Sequence, residues 1–283
     1  MVQPFPVIAT AVALSPNLEA NLCESVRIKN ALGAKLYLIH VEKNETDERA
    51  EILKALEKAG CSLKDVEVVW ERGDEIEAIL RVCEQHQVNL LIAGALPREG
   101  LIRYYKGSIA RQLVRKSNCS ILLLTQPKVA AKKCESVVVN GLNHPKTAYT
   151  IETAVRVCEA FGANLLRIVE EVPPSREVKR ADDDKMLAEL NQKRLEVEEA
   201  EDERIDAILA AIQRGEQLTI RHKAIIGKPG YTIGHFTQSV QADLLVLNSP
   251  DTKLGFMDRV FTHGLEYILS ELPSDILIVH SHA

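Results

Sequence analysis

Short, nearly continuous apolar runs alternate with amphipathic stretches along the whole chain. Runs such as NLLIAG and SILLLT have no polar alternation, which is what a strand buried on both faces of a parallel sheet requires. In the first part of the chain the pattern predicts strands at Val7–Leu14, Lys35–Val41, Val66–Glu71, Val88–Ala93 and Ser120–Thr125. Helices fill Asn17–Leu32, Glu45–Ala59, Glu75–Gln85 and Ser108–Lys116 between them. The same rhythm returns with strands near Ser136–Leu142, Asn164–Val169, Leu218–Ile226, Asp243–Leu247 and Asp275–His280. Strand–helix alternation gives right-handed crossovers, so the expected fold class is α/β: two tandem doubly wound domains, each a five-stranded parallel sheet flanked by helices.

The two parts are copies. A shift of 129 lays Val7–Glu42 on Ser136–Glu171 without a gap, and nine positions (Pro16, Val26, Arg27, Ala31, Gly33, Ala34, Leu36, Ile39 and Glu42) meet identical residues. A shift of 154 lays Gly73–Gly94 on Gly227–Asn248, where Q-V-N-L-L-I meets Q-A-D-L-L-V. The domains are therefore expected at 1–128 and 134–283, joined by Q-P-K-V-A-A-K-K, and the difference between the shifts measures an insertion in the second copy at about 176–213. That insertion holds no Pro or Gly between Ser175 and Arg214, and Met186, Leu190, Val197, Ala200, Ile205, Ile208, Leu209 and Ile212 recur at helical spacing. It reads as one long helix with an apolar stripe.

Charge sharpens this picture at one place. The net charge is −5, and Arg176–Asp206 alone carries twelve acidic and seven basic residues, so the rest of the chain is neutral. The acidic face is either a solvated surface or a docking face for a protein partner. The mild acidity and 4% aromatic content argue against nucleic-acid binding. No apolar run is long enough to span a membrane and the N-terminus lacks a signal-peptide pattern, so a cytoplasmic location is expected. Six cysteines without a C-x-x-C pair read as reduced, buried thiols. The eight histidines never fall at metal-ligand spacing, Asp74 and Glu75 read as a helix start, and no catalytic constellation is visible. No Walker loop or G-x-G-x-x-G follows the first strand.

The turn A-L-S-P-N-L-E, the strand end L-I-H-V, R-G-D-E-I-E-A-I-L, V-N-L-L-I-A-G and K-G-S-I-A-R-Q-L-V-R-K-S-N-C-S-I-L-L-L, in this order, resemble the universal stress protein family. The resemblance covers about residues 4–127 and continues more weakly through the second copy, as in tandem two-domain members. It implies a stress-response regulatory or binding module without catalysis, whose copies pack as an intrachain pseudo-dimer through the apolar fifth strands, with a homodimer as a further possibility. An ATP- or AMP-binding sensor that uses the N-terminal domain only, with or without slow hydrolysis, and a ligand-free interaction protein presenting the acidic helix, are the alternatives.

Nucleotide-binding relatives carry G-x2-G-x9-G-[ST] after the fourth strand, where glycines admit phosphate and a helix N-terminus favours the anion. Here Gly94 and Gly107-Ser108 match, with Ile109 following, while Pro97 replaces the second glycine. Gly100 is a substitute three residues on, and Arg98, Arg103 and Lys106 supply positive charge. The family's first-strand Asp falls on Ala13, and its adenine-side residue falls on Val41. The resemblance thus assigns Ala13, Val41, Gly94, Gly107, Ser108 and Ile109 to a nucleotide site, with ATP or AMP as the cofactor class. In the second copy the loop from Asn248 to Thr262 has lost every glycine of the motif, and Phe261 and Asp251 oppose an anion.

Overall fold

The computed structural model describes residues 3–42, 48–95, 109–172, 184–250 and 263–281. The first half contains β1 (Val7–Val12), α1 (Leu18–Leu32), β2 (Lys35–Glu42), α2 (Glu48–Lys58), β3 (Val66–Arg72), α3 (Glu75–Gln85), β4 (Leu90–Gly94), α4 (Ile109–Lys116) and β5 (Ser120–Leu124). The second contains β6 (Ser136–Asn140), α5 (Thr147–Phe161), β7 (Leu165–Val172), α6 (Asp184–Ala210), β8 (Thr219–Ile226), α7 (Tyr231–Ser239), β9 (Leu244–Asn248), α8 (His263–Glu271) and β10 (Asp275–Val279).

The ten strands form one sheet in the order β3-β2-β1-β4-β5-β10-β9-β6-β7-β8. Each half has the doubly wound order with its reversal between the first and fourth strands: β1 pairs with β2 on one side and β4 on the other, and β6 pairs with β7 and β9. Pairing within each half is parallel. The halves meet through β5 and β10, which run antiparallel with Ile276 opposite Leu123 and Ile278 opposite Ile121. This is the seam that the apolar fifth strands predict: all five residues of β5 are buried, as are Ile276–Val279.

The seam is fastened at both ends by the same device. Asp275 opens β10, and its Oδ1 accepts from the Thr125 N–H at 2.8 Å and the Thr125 hydroxyl at 2.9 Å, just past the end of β5. Ser120 opens β5, and its Oγ accepts from the His280 N–H at 3.0 Å, just past the end of β10. Each strand's first side chain thus satisfies a backbone donor that the short ladder leaves over. The linker is held nearby: Lys132 pairs with Asp243 at 2.8 Å, and Asp243 Oδ2 accepts from the Glu135 and Ser136 N–H groups.

Two apolar layers cover the sheet. Leu22, Ile52, Leu56, Ile151 and Ile205 place α1, α2, α5 and α6 on one face. Ile79, Leu113, Ile233 and Ile268 place α3, α4, α7 and α8 on the other. Gly33 and Gly162 end α1 and α5 in the left-handed conformation, as their position after each helix anticipates. Asp74 is the cap the sequence suggests, its Oδ1 accepting from the Ile76 and Glu77 N–H groups at 3.0 Å. Five of the six cysteines are buried and all are free thiols. Among the described residues no helix is long and apolar enough to cross a membrane.

The long charged stretch does form a helix, α6, over Asp184–Ala210; residues 173–183 lie outside the described residues. Its last turns carry the core contacts, with Ile205 and Leu209 buried and Ile208 and Ile212 packed beside them. Ala200, assigned to the stripe by spacing, is exposed. It lies on the face with Gln192, Leu195, Glu196 and Glu199, all of them exposed, and that face is centred on the side of the helix roughly opposite Ile205 and Ile208.

Candidate functional site

The reversal of strand order puts the carboxyl ends of β2, β1 and β4 side by side, which is where doubly wound sheets bind ligands. Three of the residues singled out from sequence come together there. Ala13 follows the last residue of β1 and is exposed, offering no hydrogen-bonding group. Val41 is the penultimate residue of β2, buried in the layer that also holds Ala9, Ile39 and Ala93. Gly94 ends β4 with its backbone exposed, and a Cβ there would stand 3.2 Å from the Asn21 amide nitrogen on α1. Ile109, 39% exposed, is the first residue of α4. Gly107, Ser108, Pro97, Gly100 and the basic residues Arg98, Arg103 and Lys106 lie outside the described residues.

Behind these strand ends is a buried polar chain that the sequence does not announce. His40 on β2 is 4% exposed, with Nδ1 2.9 Å from the Val12 carbonyl and Nε2 2.8 Å from Glu48 Oε2 at the start of α2. A carbonyl only accepts, so Nδ1 carries a proton; a second proton lies between Nε2 and the carboxylate. The pair therefore ties α2 to the end of β1, one residue before Ala13. Trp70 stands edge-on to His40 at 5.7 Å, and Arg49 lies over the Trp70 ring. Glu42 receives both Arg49 and Arg72, which hold its carboxyl below the usual range. A lone His in the apolar run LYLIHVE was the available signal.

In the second half the same place is closed by its own side chains. Asn248 occupies the position of Gly94, and its Nδ2 donates to the Thr147 hydroxyl on α5 at 3.1 Å. Thr147 in turn donates to the Leu142 carbonyl, the position matching Ala13. The Lys146 ammonium donates to the carbonyls of Ser249 at 3.1 Å and Pro250 at 3.3 Å, strapping α5 to the chain leaving β9. Thr147 and Lys146 carry no recognisable spacing, so this closure is invisible in the sequence. Residues 251–262, including Asp251 and Phe261, lie outside the described residues.

The carbonyl ending the first strand is treated alike in both halves. His40 reaches Val12 in the first, and in the second Arg204 of α6 donates to the matching Gly141 carbonyl. Arg204 also holds Glu170 at 3.0 Å and Glu201 at 2.6 Å. The next residue of β7, Glu171, turns to the other face, where its carboxylate accepts at 2.8 Å from the N–H groups of Gly230 and Ile233 and caps α7. Burial pushes Glu171 upward despite those bonds.

Residues 9–125 match the model of the universal stress protein family. Among solved structures, 98% of the chain superposes on 94% of a universal stress protein from Pseudomonas aeruginosa UCBPP-PA14, with a TM-score of 0.68 and 18% identity. A universal stress protein from Archaeoglobus fulgidus DSM 4304 is covered over 100% of its length by 99% of this chain, with a TM-score of 0.67 and 14% identity. A functionally unknown protein from Pseudomonas aeruginosa PAO1 gives a TM-score of 0.69 at 17% identity, over 98% of this chain and 93% of that one. No curated protein sequence matches the chain. These whole-length likenesses establish the α/β fold of both halves, and within that fold residues 9–125 are a segment similar to the universal stress protein family.

Proposed function

We propose that the chain is a cytoplasmic, non-catalytic regulatory module of the stress response, built of domains 1–128 and 134–283, in which the first half alone binds an adenine nucleotide. The observation that carries this reading is the contrast at one strand end. Gly94 leaves its backbone exposed beside Ala13, whereas Asn248 and Lys146 fill the corresponding place with bonds to Thr147, Ser249 and Pro250. A strand end already bonded to its own chain offers a ligand fewer free donors. The absence of a carboxylate at Ala13 weakens nucleoside recognition by ~1–3 kcal/mol, so binding in the first half is modest and suited to sensing concentration.

Calorimetric titration with ATP and with AMP tests this. Gly94→Val should abolish the heat by driving a branched side chain into the strand end against Asn21, and Asn248→Ala should leave it unchanged. No heat from the native protein at millimolar nucleotide discards the sensor, and equal losses in both variants refute its assignment to the first half.

A specific observation also favours a role for α6 in docking a protein partner: Gln192, Leu195, Glu196, Glu199 and Ala200 form one exposed face. Deleting 176–206 should then remove the partner from a pull-down and leave nucleotide binding intact.

A further inference from the structure

One polar atom at the first strand end is left unused by the chain. Asn21 lies in the first turn of α1, half-buried, with its amide against Gly94: a Cβ on that glycine would stand 3.2 Å from Asn21 Nδ2 and 3.4 Å from Oδ1. The Oδ1 atom is buried and accepts no hydrogen bond among the described residues. The turn that carries it is pinned to the sheet. Thr10 of β1, 1% exposed, donates to the Ser25 hydroxyl at 2.8 Å, and Ser25 donates to the Asn21 carbonyl at 2.7 Å.

The second copy, compared at the shift of 129, folds without this arrangement. Val139 and Ala154, both fully buried, stand in place of Thr10 and Ser25, and Thr150 stands in place of Asn21. There the amide belongs to the strand, as Asn248, and its Nδ2 donates to Thr147. The counterpart of Thr147 in the first half is Leu18, whose side chain can make no such bond. Thr150 Oγ1 and Asn248 Oδ1 are also unpaired among the described residues, but they lie in a strand end that the Asn248 side chain itself occupies. In the first half the strand carries Gly94, exposed and without a side chain, so the unused acceptor lies beside an open edge.

An unpaired acceptor is met by a donor. An ionised phosphate has none to give, so the group that fits Oδ1 is a hydroxyl or an N–H. Its water is already stripped away, and a donor placed there by a ligand gains the bond without that desolvation cost. The apolar groups at this edge sit elsewhere: Val41 on β2, and Ala13 with the 39% exposed Leu14 just past β1. Asn21 meets the end of β4, on the other side of β1. A nucleoside laid across the edge therefore puts its flat base against the apolar side and its hydroxyls toward the polar one.

Resting on the nucleotide reading above, we propose that Asn21 selects the sugar of the nucleotide held at the first strand end, its Oδ1 accepting a hydrogen bond from a ribose hydroxyl that a deoxynucleotide lacks. Ala13 has no group that could do so, and Gly94 leaves the room in which the hydroxyl and the amide meet. The Thr10–Ser25 relay is the positioning device: it holds the turn of α1 that carries Asn21 on β1 beside β4. The second half, which lacks both the relay and the amide on its helix, has no counterpart of this recognition.

Calorimetric titration of the full chain with ATP, 2′-deoxy-ATP and 3′-deoxy-ATP, repeated on Asn21→Ala, pairs the loss of the protein group with the loss of the ligand group. The native protein should bind one of the two deoxy forms about five- to thirtyfold more weakly than ATP. Asn21→Ala should bind ATP as weakly as the native protein binds that analogue, and should distinguish the two by no more than roughly twofold. Asn21→Asp keeps an acceptor and should keep the discrimination. Alanine removes an unpaired acceptor from a helical turn, so nucleotide-free Asn21→Ala should melt no lower than the native protein, which separates lost recognition from lost structure. Equal affinity of the native protein for ATP and both deoxy forms, or undiminished discrimination by Asn21→Ala, overturns the proposal and leaves the nucleotide reading standing. No heat with any of the three nucleotides overturns both.

Discussion

Replacing Gly230 by alanine is expected to lower the melting temperature of the protein by roughly 6–12 °C, the loss of stability exceeding ~3 kcal/mol. Gly230 precedes α7 with a φ of +81°, a conformation that L side chains seldom adopt. A methyl group there would fall on the backbone of Gly264 in α8, whose Cα, carbonyl carbon and oxygen are all within overlap distance. Backbone cannot rotate aside as a side chain can, so relief requires separating the N-termini of α7 and α8. Separation has its own cost, because the Gly230 N–H is one of the donors that Glu171 receives inside the layer. A thermal melt followed by circular dichroism measures the shift. A change under 2 °C would show that the two helices approach less closely than described. As a control, alanine at Gly60 meets nothing within 4 Å and carries only the strain of its φ of +71°.

The second large effect is expected at the seam. Asp275→Ala leaves the Thr125 N–H and hydroxyl without their acceptor at the edge of a buried strand, a loss of ~2–4 kcal/mol. Asp275→Asn keeps a carbonyl oxygen for both donors and should retain half or more of the native stability difference. Burial pushes the Asp275 carboxyl upward, with its bonds from Thr125 opposing, so its ionised form is not held for charge but for its lone pairs. Chemical denaturation of the three proteins orders them native, Asn, Ala. If Asn were as damaging as Ala, the seam would depend on the charge and on Lys132 rather than on acceptance from Thr125. The effect should also be cooperative across the chain, because β5 and β10 belong to different halves of one sheet.

Sequence pattern reaches some of this structure and misses the rest for a physical reason. The strands are legible because each is an apolar run whose burial on two faces is written in its own composition, as in SILLL and LLIAG. Caps such as Asp74, Gly33 and Gly162 are legible because they act on residues a few positions away. Asp275 and Thr125, or Lys146 and Ser249, are over a hundred residues apart, and no local rule places one near the other. At the candidate site the same limit applies. Ala13, Val41 and Gly94 fall where strand order puts them, but the His40–Glu48 pair behind them and the closure of the second cleft by Lys146 and Asn248 arise from packing. The stripe on α6 shows the opposite error: Ala200 fits the spacing and still faces outward, since an alanine commits little apolar area either way.

The antiparallel joining of β5 to β10 has one more consequence, for how the chain behaves while it is being made. A nascent first half presents β5 as a bare edge of five buried-type residues, Ser120–Leu124, with no lysine, proline or bulge to discourage pairing. Its intended cover, β10, follows far along the chain, Asp275 lying 150 residues after its seam partner Thr125. Until it arrives, the best available substitute is the β5 edge of another nascent copy. The Asp275–Thr125 and Ser120–His280 fastenings distinguish the right partner from that wrong one, because a second β5 brings no aspartate to Thr125. Correct assembly is thus enforced at the two ends of the seam, while the apolar strands between them would accept either neighbour.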